Sequence, residues 1–237
     1  SIIGKPLVVG GRSNHGVVTT ANYLARNYGI HSAMPMYMAK NLCDHLIIKP
    51  MRRERYLEKS REVFDVLKTY TKKIEKVSID ESYLDITGLG YDENIIYDLQ
   101  RDVFNKTGLN VSVGLSYNKF LAKLASDWNK PKGIMIIRES DMPDILFPLD
   151  IRKVHGIGDK SEKKLRNIGI NKVEDLYSLS YDFLVNMFKK SGEEIYNRIR
   201  GIDNREVTPN AVRKSLGTES TFEATKNKEE LINHLKD

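Results

Sequence analysis

The sequence predicts an α+β fold in which an antiparallel-rich sheet backed by helices is followed by an all-helical region. Up to about residue 139, short apolar runs alternate with segments of 3.6-residue period. Two of those runs flank an acidic turn at Asp80-Glu81, and from residue 140 onward only the helical period remains.

Residues 6–9 read as a short buried strand, and 10–16 as a loop rich in turn residues. Thr20 then opens a helix that Gly29 closes, and Ser32 opens another whose Met36, Ala39, Lys40 and Cys43 share a face. A strand at 46–48 precedes a longer helix from Arg53, in which Tyr56, Ser60, Val63, Phe64, Leu67 and Tyr70 hold the period. Val77 and Ile79 alternate with Ser78 before the acidic pair, and Leu84 and Ile86 alternate with Tyr83 and Asp85 after it, as two strands meeting at a tip. A helix over 92–107 follows, with Ile95, Ile96, Leu99 and Val103 inward and Gly108 past its end. The set is completed by a strand at 111–113, a helix with Leu121, Leu124, Ala125 and Trp128 inward that Pro131 stops, and a strand at 134–137. In the helical region, Val154-His155-Gly156-Ile157-Gly158, a helix carrying Leu165 and Ile168, and Gly169-Ile170 have the layout of a helix-hairpin-helix. Ser191 with Glu194 forms a capping box for a last helix ending at Gly201. Residues 204–210 read as a linker, and 212–217 begin something new.

Lys and Arg outnumber Asp and Glu by 38 to 32, a net charge of +6 with a pI near 9.1, which is a mild bias toward polyanions. Between 151 and 169 six basic residues face two acidic ones, a local +4 that suits either nucleic acid or a solvated helix face. Cys43 is the only cysteine, which excludes an internal disulfide framework and fits a cytoplasmic chain. No apolar run approaches the ~20 residues of a membrane span.

Neighbouring side chains on a straight strand point to opposite faces, so Asp80 and Glu81 can share one ion only where the backbone turns. Hard oxygen ligands at such a tip suit magnesium. Taken alone, the pair reads more readily as an exposed acidic hairpin turn. Downstream lie Gly114-Leu115-Ser116-Tyr117-Asn118-Lys119-Phe120-Leu121-Ala122-Lys123-Leu124-Ala125-Ser126 and Asn129-Lys130-Pro131-Lys132-Gly133, and upstream lies Thr20-Ala21-Asn22-Tyr23-Leu24-Ala25-Arg26. Together and in this order they resemble the Y-family, or translesion, DNA polymerases, nearest their bacterial polymerase IV branch. The resemblance covers residues 4 to 221 and implies a polymerase right hand, with fingers at 1–51, palm at 52–139, a helix-hairpin-helix thumb at 140–208, and a linker with the start of a little finger at 209–237.

Its implied chemistry is template-directed addition of dNTPs to a primer 3′ end, at low fidelity, with two Mg2+ ions and primer–template DNA as partner. Asp80 would bridge both ions, and Glu81 would hold the one that activates the primer hydroxyl. Thr20, Tyr23 and Arg26, read as a helical ridge at i, i+3 and i+6, would bind the triphosphate together with Lys130. Thr19 would lie near the nascent base pair, and Gly156, Gly158 and Lys160 would hold the duplex through phosphate. Ser116, Asn118 and Lys119 read as positioning residues, and Asp85 as a structural carboxylate. The implied parent is a monomer served by a sliding clamp.

Family members begin with a strand that carries a further metal-binding Asp and an aromatic sugar gate, about twenty residues before a Gly-Lys-Pro that stands here at 4–6. Two of three expected carboxylates therefore remain, and this piece as written is expected not to extend a primer. The competing readings are a non-catalytic DNA-binding module that uses the hairpin alone and a nucleotide cyclase built on a similar palm. The basic hairpin counts against the cyclase.

Overall fold

The computed structural model describes residues 2–11, 16–209, 215, 217 and 225–234, so most of the 10–16 loop and of the 212–217 stretch lies outside the described residues. The chain divides into two compact units, Ser1–Tyr56 with Val212–Asp237, and Leu57–Ala211.

In the first unit, β1 (Leu7–Gly10) is the central strand of three. It runs antiparallel to β2 (Val18–Ala21), with Val9 opposite Thr20, and parallel to β3 (Ile47–Lys49), with Leu7 opposite Ile47. Thr20 therefore does not open a helix. The run Val18-Thr19-Thr20 is β-branched and pairs as a strand. The helix α1 (Tyr23–Arg26) starts three residues later, where Asn22 accepts the N–H of Ala25 at 2.9 Å and that of Leu7 at 3.0 Å. Helix α2 (Met36–Leu42) likewise starts after Pro35 rather than at Ser32, because Ala33 sits at φ +66° and breaks the helical path. Val8, Val18, Ala25, Ile30, Met36, Ala39 and Cys43 form this unit's core.

The second unit starts with α3 (Arg53–Leu67, its first residues in the first unit) and holds two strand pairs. β4 (Ile74–Lys76) and β5 (Ser82–Leu84) form an antiparallel hairpin with Glu75 opposite Tyr83. β6 (Val113–Ser116) and β7 (Ile134–Ile137) run parallel. Val77 and Ile79 lie outside the ladder, exposed in the turn, so their alternation with Ser78 marks a loop and not a strand. β6 starts at Val113, where the sequence placed a strand end, and Ser116 closes it by donating Oγ–H to the Ile137 carbonyl at 2.7 Å, while Asn118 caps the next helix by accepting the Leu121 N–H. Helix α4 (Ile95–Thr107) ends at Gly108 and packs Val103 with Phe64, Val66 and Leu67 of α3.

Helix α5 (Lys119–Trp128) covers β6 and β7, and it shares one core with everything after it. Phe120, Leu121 and Ile137 join Leu165 of α6 (Asp159–Arg166), Val173 and Leu176 of α7 (Val173–Tyr177), Leu184 of α8 (Tyr181–Phe188) and Ile195 of α9 (Lys190–Arg198). α9 begins at Lys190 after a Lys189 at φ +58°, so Ser191 lies inside its first turn and makes no capping box. α10 (Lys228–His234) belongs to the first unit. Among the described residues, no helix is long and apolar enough to cross a membrane.

Helices α8 and α9 meet at Gly192, which is buried, and a Cβ there would overlap the Leu184 carbonyl. Gly192→Ala should therefore cost ~1–3 kcal/mol, read as a lower urea midpoint at unchanged m-value. An unchanged midpoint would show that the two helices can part at no cost.

Candidate active site

The hairpin turn between β4 and β5 closes through the N–H groups of Val77 and Ser78, which donate to the Glu81 carbonyl at 3.0 and 3.2 Å. This bend lets two adjacent carboxylates project from one tip. Asp80 is exposed, accepts the Ser78 hydroxyl at 2.5 Å, and has no ion-pair partner among the described residues. The Glu81 side chain is 36% exposed and its Oε1 lies 3.1 Å from the Lys123 ammonium. Among the described residues, no group of three or more His, Cys, Asp or Glu side chains is placed to hold a metal. Two adjacent carboxylates, one of them paired only with Lys123, nonetheless fit magnesium of the kind bound by one or two carboxylates plus substrate phosphates.

Facing this tip is a stripe on α5. Lys119, Lys123 and Asp127 recur at i+4, so they lie one above another on the same side of the helix. The sequence reading took only Lys119 from this stripe. The i, i+4, i+8 repeat of charge on an otherwise apolar helix was the signal for Lys123 and Asp127. Lys123 bridges Glu81 and Asp127 (3.3 Å), and Asp127 also accepts the Lys130 ammonium at 2.5 Å. Burial works against the charge on Lys123, but its bonds to Glu81 and Asp127 outweigh that and raise its pKa. Burial likewise pushes Asp127 up, while Lys130 and Lys123 bring it below the ordinary carboxylate value. Lys130 follows α5 directly and stays 45% exposed. Asp85 has the structural place expected of it, accepting the Thr87 N–H at 2.9 Å and the Lys73 ammonium at 3.1 Å.

Lys119 is only 8% exposed, and its ammonium meets both Glu75 oxygens at 2.7 and 2.6 Å and the Glu206 carbonyl at 3.3 Å. The stretch after α9, which reads as a linker in sequence, is thereby tied down. Asn118 donates to the Gly201 carbonyl, Asp203 accepts the Phe120 N–H, and Glu75 accepts the Thr208 N–H, at 2.8, 2.9 and 2.8 Å.

In the helical region, Gly158 caps α6 with open space where a Cβ would stand, and Gly156 has φ +104°. These residues line an open hollow of about 530 Å³ with Arg152, Val154, His155 and Ile157. Arg198, 6% exposed, supports the hairpin from beneath through the His155 carbonyl at 2.7 Å. Much of the local positive charge is neutralised, since Arg152 pairs with Asp159 and Arg166 with Asp150 and Glu162. Among the described residues, Lys153, Lys160, Lys163 and Lys164 make no ion pair, and Lys164 stands 5.9 Å over the Phe188 ring, which leaves four ammonium groups in this segment for an external anion.

In the first unit, Thr19 and Thr20 are exposed on β2. Tyr23 and Arg26 are the first and last residues of α1, and the Arg26 guanidinium sits 5.3 Å over the Tyr23 ring while its Nε donates to the Ala21 carbonyl at 3.0 Å. The predicted three-residue helical ridge is thus a strand residue plus a helical pair, and only Tyr23 and Arg26 share a helix.

Residues 1–127 match the impB/mucB/samB family, and residues 152–203 match the DNA polymerase-iota thumb domain. This chain belongs to the impB/mucB/samB family. The Y-family resemblance read from its motifs stands with it. Over 234 residues the chain is 44% identical to DNA polymerase IV of Staphylococcus epidermidis (strain ATCC 12228 / FDA PCI 1200), covering 97% of this chain and 66% of that protein. The same 44% identity and coverage hold for DNA polymerase IV of Staphylococcus saprophyticus subsp. saprophyticus. Among solved structures, DinB from Sulfolobus solfataricus superposes with a TM-score of 0.76 at 36% identity, over 84% of this chain and 60% of that one. The Y-family DNA polymerase chimera Dbh-Dpo4(243-245)-Dbh gives 0.80 at 34%, over 89% and 64%. The chain therefore spans about two thirds of the length of the family members it matches.

Glu75 links the hairpin, α5 and the tied-down stretch. Burial pushes its pKa up, but the Lys119 ammonium and the Thr208 N–H bring it below the ordinary 4.5. Glu75 thus stabilises the fold above that pH, and the contribution is lost as acid protonates it. In Glu75→Gln, the fall in Tm between about pH 5 and pH 3 should be shallower than in the wild type. Parallel curves would mean that Glu75 is not a linked group.

Proposed function

We propose that this chain carries the nucleotidyl-transfer site and duplex grip of a translesion DNA polymerase that adds dNTPs to a primer 3′ end. The observation that carries the reading is the acidic tip Asp80-Glu81 set against Lys123 on the charged stripe of α5, within one unit of a family member. Metal ions bound at the tip would supply charge stabilisation to the attacking and leaving oxygens, and two Mg2+ suit that chemistry.

Asp80, with no ion-pair partner among the described residues, would hold both ions, and Glu81 would hold the one that activates the primer hydroxyl. Lys130, exposed at the end of α5, takes negative charge from the triphosphate. Tyr23 and Arg26 take the outer phosphates: Arg26 is a planar fork already stacked over Tyr23, and Thr20 adds a hydroxyl from the neighbouring strand. Thr19 lies toward the nascent base pair, where a small side chain closes loosely, and low fidelity follows. Gly156 and Gly158 bring backbone N–H groups to a duplex phosphate, with Lys160 as counter-charge. Residues 1–51 act as fingers, 52–139 as palm and 140–208 as thumb, in a monomer that a sliding clamp tethers.

Asp80→Ala in the full-length parent should lower Mg2+-dependent primer extension by more than ~100-fold with duplex affinity kept. Full extension by that variant would overturn the polymerase reading and leave a DNA-binding module. Lys160→Ala should weaken duplex binding equally across sequences and lower the salt slope by about one. A sequence-dependent loss would contradict phosphate contact.

A further inference from the structure

The four charges Glu81, Lys123, Asp127 and Lys130 form one unbroken chain of alternating sign, with contacts of 3.1, 3.3 and 2.5 Å. Resting on the metal-binding role proposed above for Glu81, we propose that Lys123 is a positioning residue that couples ion binding at the acidic tip to release of Lys130 for phosphate. Lys123 sits where a cation would sit, on Glu81 Oε1, and so competes with an ion for that oxygen. Asp80 has no such competitor among the described residues.

When a dication takes Glu81, it repels the ammonium beside it, and Lys123 has a second carboxylate already in reach. Asp127 accepts Lys123 on Oδ2 and Lys130 on Oδ1. One negative charge then serves two ammonium groups, and the pair that yields is the more exposed one: the Lys130 side chain is 45% exposed against 29% for Lys123. Lys130 is thus held by Asp127 while the tip is empty and becomes available when it fills. The i+4 spacing of Lys123 and Asp127 makes the shift a change of side-chain torsion with no backbone movement.

Mn2+ binding to this chain, followed by water-proton relaxation, tests the first half. Lys123→Met should tighten Mn2+ binding ~3–5-fold, Glu81→Gln should weaken it, and in the Glu81→Gln background Lys123→Met should bring no gain. An unchanged or weaker affinity in Lys123→Met overturns the inference. So does an equal gain in both backgrounds, which would mark a general field effect instead of competition for Glu81. Equal Mn2+ affinity in wild type and Glu81→Gln would sink the metal-binding role itself, and the coupling with it. For the second half, Lys130→Met should lower the affinity for inorganic tripolyphosphate severalfold with Mg2+ present and little without it. Equal losses under both conditions overturn the release of Lys130.

Discussion

The buried ammonium of Lys119 is the contact on which the arrangement of the second unit depends. A charge that is 8% exposed persists only where it is fully paired, and this one meets both oxygens of Glu75 and the carbonyl of Glu206, with the Tyr83 ring 4.9 Å away. Three separate pieces of chain are thereby fixed to one nitrogen: the hairpin, the start of α5, and the stretch after α9. Removing Glu75 would leave the Lys119 ammonium with only the Glu206 carbonyl and the Tyr83 ring, and removing Lys119 would leave Glu75 with only the Thr208 N–H, so the junction depends on the pair.

From that junction, helical geometry sets the rest. α5 lies on β6 and β7 with its apolar face in the main core, so its charged side is turned to the hairpin in a fixed register. One turn after Lys119 comes Lys123 at Glu81, one more turn brings Asp127, and Lys130 follows where the helix stops. The same core runs on through Leu165, Leu184 and Ile195, so the helical region and the strand pair beneath α5 form one packed body. The hairpin loop at Gly156 is held at its far side by buried Arg198.

Much of this was legible. Long segments with strong period, such as α3, α4 and α5, and the continuous apolar run of β7 stand close to where their residues place them, because packing and local preference agree there. The acidic bend was legible for the same reason, since two adjacent carboxylates need a turn. The misreadings fell on short elements. Thr20 has the chemistry of a helix cap, but it belongs to a β-branched run that pairs with β1, and Asn22 caps instead. Val77 and Ile79 alternate like a strand and stand exposed in the turn. Ser191 was the right residue type two residues too late, because Lys189, at φ +58°, precedes the first residue of α9. Lys123 and Asp127 form a charged repeat on the outer side of α5, which the inward apolar period does not mark.

On the function proposed above, the bend at Asp80 and Glu81 holds a divalent ion at which phosphate is transferred. Crystals of the chain grown with Mn2+ and a non-hydrolysable dNTP, measured at the manganese absorption edge, test it most directly. The account predicts an anomalous peak within ~2–2.5 Å of both carboxylates. No peak at the tip, with manganese bound only elsewhere, would contradict it.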